Sequence, residues 1–159
     1  MIERTLVLVK PDGVQRSLIG DIISRFEQRG LKIVGMKMIW IDANFSKKHY
    51  SAHVGKKMYP LLEKFITSAP VVAMAIEGIH AVELVRKIVG TTEPKSAPIG
   101  TIRGDYAHVS YDYADEKKIS VKNLVHASGN KEEADQEVAL WFSETELYEY
   151  ETSHDRHVL

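Results

Sequence analysis

Thr5-Leu6-Val7-Leu8-Val9, followed at once by Lys10-Pro11-Asp12-Gly13, is the stretch on which the reading of the fold turns. The run is apolar or β-branched without a polar interruption, so it reads as a strand buried on both faces rather than as the alternating strand of a half-exposed sheet. Proline and glycine then stop it. Outward from this strand, Ile19, Ile22, Ile23 and Phe26 recur at the spacing of one helix face, and Gly30 supplies a helix C-cap. Leu31 to Ile41 alternates for part of its length around Gly35 and reads as a second strand. Phe45–Tyr50 and Met58–Thr67 read as two short helices, and Val71–Ile76 as a third strand after Pro70.

Val82, Val85 and Val89 mark a helix that ends at Gly90, with Glu83 and Lys87 paired at i,i+4. Residues 90–104 hold Pro94, Pro98, Gly90, Gly100 and Gly104 and read as a long ordered loop rather than a helix. Leu124-Val125-His126 is a short strand. Asn130 and Glu133 then resemble a capping box for a helix that buries Ala134, Val138, Trp141 and Phe142. The order suggests an α+β domain: a ferredoxin-like βαββαβ antiparallel sheet with its helices packed on one face.

Composition narrows the function. The chain has 159 residues, 44% of them apolar, enough for one domain with a real core. A net charge of -1 leaves no broad basic surface for nucleic acid or an anionic membrane, so any phosphate site must be a local cluster of cations. Cys is absent, which removes disulfides, thiolate metal sites and a Cys nucleophile. No apolar run approaches the ~20 residues of a membrane span, and the first strand leaves no room for a signal peptide, so the expectation is a soluble cytoplasmic protein.

Several residues have the chemistry for phosphate. Lys10, at the carboxyl end of the first strand, would send its ammonium into a cleft above the sheet; the alternative is a surface Lys that ends a strand. Arg86 on its helix is a phosphate ligand or a solvated residue. Arg103, between Thr101 and Gly104, suits bidentate phosphate recognition or pins its loop to Asp105. Among seven His, His49 and His53 have the i,i+4 spacing of a helical metal pair, but no Glu completes a zincin pattern. His126 ends an apolar strand in Lys122-Asn123-Leu124-Val125-His126-Ala127-Ser128. Glu137, one helix on, could fix its tautomer and leave the other nitrogen free to attack; a hydrogen-bonded core histidine is the alternative.

These residues carry a resemblance. Arg4 to Arg16 (RTLVLVKPDGVQR), Phe26-Glu27-Gln28-Arg29-Gly30, Gly35-Met36-Lys37, His49-Tyr50, Pro70 to Met74, Gly100-Thr101-Ile102-Arg103-Gly104-Asp105 and Asn123 to Ser128 resemble the nucleoside diphosphate kinases, in order and spacing, from Glu3 to about Tyr150. The resemblance implies a domain over 1–150, an insertion near 107–121 and a tail at 151–159. It implies ping-pong transfer of the terminal phosphate from a nucleoside triphosphate to a nucleoside diphosphate, maintaining nucleotide pools, with His126 phosphorylated at Nδ1. Lys10, Met58, Arg86, Thr92, Arg103 and Asn123 would hold the nucleotide, Tyr50 would lie near the histidine, and Ser128 and Glu137 would hold it in place. Mg²⁺ would be held mainly by the phosphates, with no dedicated protein ligands. The assembly would be a homo-oligomer, a hexamer by preference or a tetramer, with no membrane or specific nucleic-acid partner.

Three positions and one segment depart from the family pattern: Met58 replaces an aromatic, Lys56 an Arg and Gly129 an Asp, and Tyr106 to Asn123 is longer than usual. The expectation for the added polar segment is a surface excursion packed through Tyr111 and Tyr113. Two rivals remain: a regulatory nucleotide-binding domain without turnover, and a ferredoxin-like RNA-binding module. The first would not need His126 together with its cations; the second would need aromatics on the central strands, which Leu6–Val9 and Val71–Ile76 lack.

Overall fold

The computed structural model describes residues 1–159. Four strands, β1 (Ile2–Val9), β2 (Lys32–Ile39), β3 (Val71–Ile79) and β4 (Val125–Ala127), form one sheet in the order β2-β3-β1-β4. All three pairings are antiparallel. The helices are α1 (Pro11–Gln15), α2 (Ile19–Glu27), α3 (Ala43–His49), α4 (Tyr59–Ile66), α5 (Ala81–Val89), α6 (Ile102–Tyr106), α7 (Tyr111–Lys117), α8 (Lys131–Trp141) and α9 (Asp155–Val158). With α2 and α5 as the two crossovers this is the ferredoxin-like arrangement, and β1 lies centrally with Leu6 through Val9 fully buried.

Helices cover both faces of the sheet, not the one face that element order suggested. Val7 and Val9 point to a core shared with Ile22 and Phe26 of α2 and Val85 of α5. Their neighbours Leu6 and Leu8 point the other way, to Trp141 and Phe142 at the end of α8 and to Tyr59 and Ile66 of α4. A continuous apolar strand requires this, because successive side chains alternate between faces and both faces here are dry.

Two further corrections fall near the cleft. Residues 90–104 are not loop throughout: Pro94–Ser96 make a 3₁₀ turn, and α6 begins at Ile102, capped by Thr101 Oγ1, which accepts from Gly104 N at 3.0 Å. The glycines and prolines there mark tight turns around short helices. The added segment is a helix, α7, capped by Ser110. It packs through Ala114, 1% exposed, while Tyr111 and Tyr113 remain 43% and 52% exposed.

Gly35 marks an irregularity in the β2–β3 register after Ile33. A β-carbon there would lie 2.9 Å from Leu147 Cδ2 and 3.0 Å from the Glu146 carbonyl, so only glycine lets the segment after α8 cross the strand. Beyond it, Tyr148 N donates to Val34 O and Lys32 pairs with Asp155, which lays the C-terminal residues along the outer edge of β2.

Candidate active site

The end of β1, the last turn of α5, α6 and β4 converge on one cleft of about 330 Å³. Lys10, Tyr50, Met58, Arg86, Thr92, Arg103, Asn123 and His126 all line it. Every cleft residue anticipated from the sequence is therefore brought together, with Ser128 and Glu137 bonded behind His126.

Lys10 follows β1 directly. Its Nζ donates to Asn123 Oδ1 at 2.8 Å, and Asn123 Nδ2 donates to the Thr92 carbonyl at 2.9 Å. The side chain is almost wholly buried. Burial first and the Arg103 charge second lower its pKa to about 8, against an opposing pull from Asp12. Arg103 is held by three backbone carbonyls: Asn123 O at 3.1 Å from Nε, Gly90 O at 3.0 Å from Nη1 and Val125 O at 2.7 Å from Nη2. It does not pin its loop to Asp105, which pairs instead with Arg25 at 2.6 Å. Burial, then the neighbouring Arg86, lower the Arg103 pKa to about 10. Crowded, partly desolvated cations of this kind gain most when an anion arrives.

The backbone that aims these groups is strained at one point. Leu124 has a φ of +72°, unusual for a residue with a β-carbon, and its N–H donates to Asp12 Oδ2 at 3.0 Å. Asp12, buried at the start of α1, thus secures the kink that turns Asn123 toward Lys10 and starts β4. The sequence shows Asp12 only as part of a turn, and its anchoring role has no local signature.

His126 Nε2 lies 2.9 Å from Glu137 Oε2, which also accepts from Ser128 Oγ at 2.6 Å. Ser128 Oγ in turn accepts from Leu6 N at 3.2 Å. A carboxylate at Nε2 fixes the Nε2–H tautomer and leaves the Nδ1 lone pair without a partner in the chain. The Tyr50 ring stands 6.4 Å from the His126 ring, centroid to centroid, and its buried hydroxyl has no partner. Burial first, then Glu137, raise its pKa, so it is a phenol ready to donate. At Gly129, where the family pattern has Asp, the backbone N–H donates to Glu133 Oε2 at 2.9 Å, while Asn130 caps α8 through Glu133 N.

His49 joins the site although sequence reading assigned it no part there beyond a disfavoured metal spacing with His53. Trp141 Nε1 donates to His49 Nδ1 at 3.0 Å, and the His49 ring meets the His126 ring edge to face, 4.6 Å between centroids. Ligand atoms of His49, His126 and Glu137 lie within 4.8 Å of one another, a spacing open to a metal. The hydrogen bonds oppose that reading: with Nδ1 accepting from Trp141, the neutral His49 carries its proton on Nε2 and has no lone pair to offer there. Burial, then His126 and Lys10, hold its pKa well below the usual histidine value.

The family model described as nucleoside diphosphate kinase matches residues 3–147. The nucleoside diphosphate kinase of Pyrococcus furiosus is 55% identical over 149 residues, spanning 94% of this chain and 88% of the relative. A solved structure described as a transition-state mimic of the Borrelia burgdorferi enzyme with bound vanadate and ADP superposes with a TM-score of 0.94 at 43% identity, covering 97% of this chain and 95% of that one. The Halobacterium salinarum enzyme in complex with CDP superposes with a TM-score of 0.88 at 41% identity, covering 100% and 99%.

Proposed function

The chain belongs to the nucleoside diphosphate kinase family and transfers the terminal phosphate of a nucleoside triphosphate to a nucleoside diphosphate, and we propose that His126 carries the phosphoryl group between them. The observation that carries this reading is the pair His126 Nε2–Glu137 Oε2 at 2.9 Å, which leaves Nδ1 as the free nucleophile in a cleft lined by Lys10, Arg86 and Arg103.

In the first half-reaction Nδ1 forms a bond to the γ-phosphorus as the bond from that phosphorus to the β–γ bridging oxygen breaks, and the diphosphate leaves with the electron pair. The imidazole ring gains positive charge as the N–P bond forms, and Glu137 offsets it through Nε2. The second half-reaction is the reverse, with a different diphosphate attacking. The chain contributes position and charge. Lys10, Arg86 and Arg103 neutralise phosphate oxygens, Tyr50 donates to one of them, and Asn123 and Thr92 hold the sugar. Mg²⁺ would come with the nucleotide and offset the charge of its phosphates; the polar part of the cleft lining is cationic, imidazole, amide and hydroxyl and contains no Asp or Glu, which fits an ion carried by the substrate.

The proposal extends to a domain over 1–150 with a tail at 151–159, a cytoplasmic setting and a homo-oligomer, hexameric rather than tetrameric. Met36, Met38 and Trp40, exposed on and just after the edge strand β2, support self-association. No helix is long and apolar enough to cross a membrane.

Incubation with γ-labelled ATP tests the central step. The label should be lost in acid and kept in alkali, as for a phosphoramidate, and His126→Ala should take up none. Label on the His126→Ala protein would overturn the assignment.

A further inference from the structure

We propose that Tyr111, presented by the added helix α7, is an aromatic wall of the nucleoside slot and stacks on the base of the bound nucleotide. The inference rests on the nucleotide-binding reading of the cleft and adds to it a residue from outside the common core of the fold.

The cleft has two ends by chemistry. Lys10, Arg86, Arg103 and His126 make one end cationic and reactive, so the phosphates belong there. The base must then lie against the apolar part of the lining, which includes Met58, Leu62, Val121 and Tyr111, the tyrosine lying close enough to Arg103 to act on its charge. Met58, at the N-cap position of α4, is 55% exposed and is flexible and unbranched, a soft surface for a flat ring. Apart from Tyr50, which stands beside His126, Tyr111 is the one tyrosine ring of the lining.

The added segment is built to hold that ring still. Tyr111 N donates to Glu93 Oε1 at 3.0 Å, which ties the first turn of α7 to the 3₁₀ turn at Pro94. Lys95 N donates to Val109 O at 3.1 Å, Ser110 caps the helix and buried Ala114 seats it. Lys118, with a φ of +51°, turns the chain back, and Ser120 and Val121 return along the same cleft. The ring of Tyr111 nonetheless stays 43% exposed on this fixed backbone. Tyr113 provides the contrast: it faces a different cavity, beside Asp12, Arg16 and His108, with the Lys117 ammonium 5.7 Å from its ring. Of the two tyrosines on one helix, α7 sends only Tyr111 to the nucleotide. A fixed aromatic face with room beside it is the means by which proteins bind bases without reading their edges.

Calorimetric titration with Mg·ADP and with Mg·ribose 5-diphosphate, which keeps the sugar and phosphates and lacks the base, tests this on the whole protein. Tyr111→Ala should weaken ADP about tenfold, the low end of a base–aromatic stack, and leave ribose 5-diphosphate unchanged. Tyr111→Phe, which keeps the ring, and Tyr113→Ala should bind both ligands as the wild type does. Equal weakening of both ligands by Tyr111→Ala would mean that the residue holds α7 or touches sugar or phosphate, and would overturn the proposal, as would no change in ADP affinity. Phosphorylation by ATP is read separately: its absence in the wild type would overturn the assignment of His126 and leave the titration to decide the base contact.

Discussion

Trp141 Nε1 donates to His49 Nδ1 at 3.0 Å, and through that one bond a core residue of α8 sets the tautomer of a side chain in contact with His126. His49 is kept neutral, with its proton on the Nε2 side, where a cation would oppose the positive charge that His126 acquires on phosphorylation. Trp141→Phe removes the donor and opens Nδ1 to a proton. The acid limb of the pH–kcat profile should then move to higher pH, with little change above neutrality. Stability gives a second reading. The folded-state pKa of His49 is depressed, so the unfolded chain binds more protons, and stability is full above the ordinary value of 6.5 and lost as pH falls below it. One such group contributes a slope of up to about 1.4 kcal/mol per pH unit. In Trp141→Phe the slope should flatten. Superimposable pH profiles for the two proteins would remove His49 from the argument.

Glu137 Oε2 serves His126 and Ser128 at once, so its replacement and that of Ser128 should differ in kind. Glu137→Gln keeps the shape and removes the charge behind Nε2; phosphorylation should slow on the order of 10²-fold, by analogy with carboxylates that orient a catalytic imidazole, with nucleotide affinity retained. Ser128→Ala leaves the buried Leu6 N–H without an acceptor, which should lower stability by about 1–3 kcal/mol with a smaller kinetic effect. Rapid-mixing phosphorylation and denaturant unfolding separate the two. A Glu137→Gln protein as fast as the wild type would show that the charge is not used.

The parts of the molecule legible in sequence are those set by periodicity or by compact motifs. The unbroken run Leu6–Val9 announced a strand buried on both sides, and the helix faces around Ile22 and Val85 followed from their spacing. Lys10, Arg103, Asn123 and His126 could be singled out because the motifs that hold them resemble one family's in order and spacing, whereas Lys10, Arg103 and His126 taken alone each had a structural reading as well. What stayed hidden depends on distant contacts. The second layer of helices is decided by where Trp141 and Phe142 dock, and α8 reads the same whichever face it covers. Asp12 secures Leu124 across 112 positions, and His49 meets Trp141 across 92. The helix α7 was missed because its polar sequence carries one buried residue, Ala114, too few to make a periodic pattern.

Selectivity among bases should be weak. The charged and amide groups of the cleft gather around Lys10 and Asn123, where the phosphates and sugar lie, and the apolar lining offers no set of donors matched to one base edge. Values of kcat/KM for the common nucleoside diphosphates should fall within roughly tenfold to a hundredfold, a spread of ~1.4–2.8 kcal/mol. Competition between diphosphates for the phosphorylated protein measures this directly. A preference of several thousandfold would reveal a hydrogen-bonding pocket for one base.

Lys10 should impose a basic limit on substrate capture. Its folded-state pKa is lowered from 10.5 to about 8 by burial and by Arg103, so in the free enzyme the ammonium is lost as pH rises through that value. A phosphate needs the charged form, and kcat/KM should therefore fall above pH 8. Bound phosphates favour the charged form and raise the pKa again, so the matching limb in kcat should lie at higher pH. Stability of the nucleotide-free protein should move the opposite way. Between about 8 and 10.5 the unfolded chain holds a proton that the folded chain has released, so this residue's contribution to stability rises with pH as the burial of a charge is relieved. Lys10→Met should abolish the limb in kcat/KM, lower the rate at every pH and remove the alkaline gain in stability. The nucleotide-free protein would be scanned by denaturant unfolding from pH 7 to 10 alongside the kinetics. A kcat/KM that stays flat to pH 10 in the wild type would show that the Lys10 charge is retained in the free cleft, and that burial beside Arg103 is offset by a partner other than Asn123.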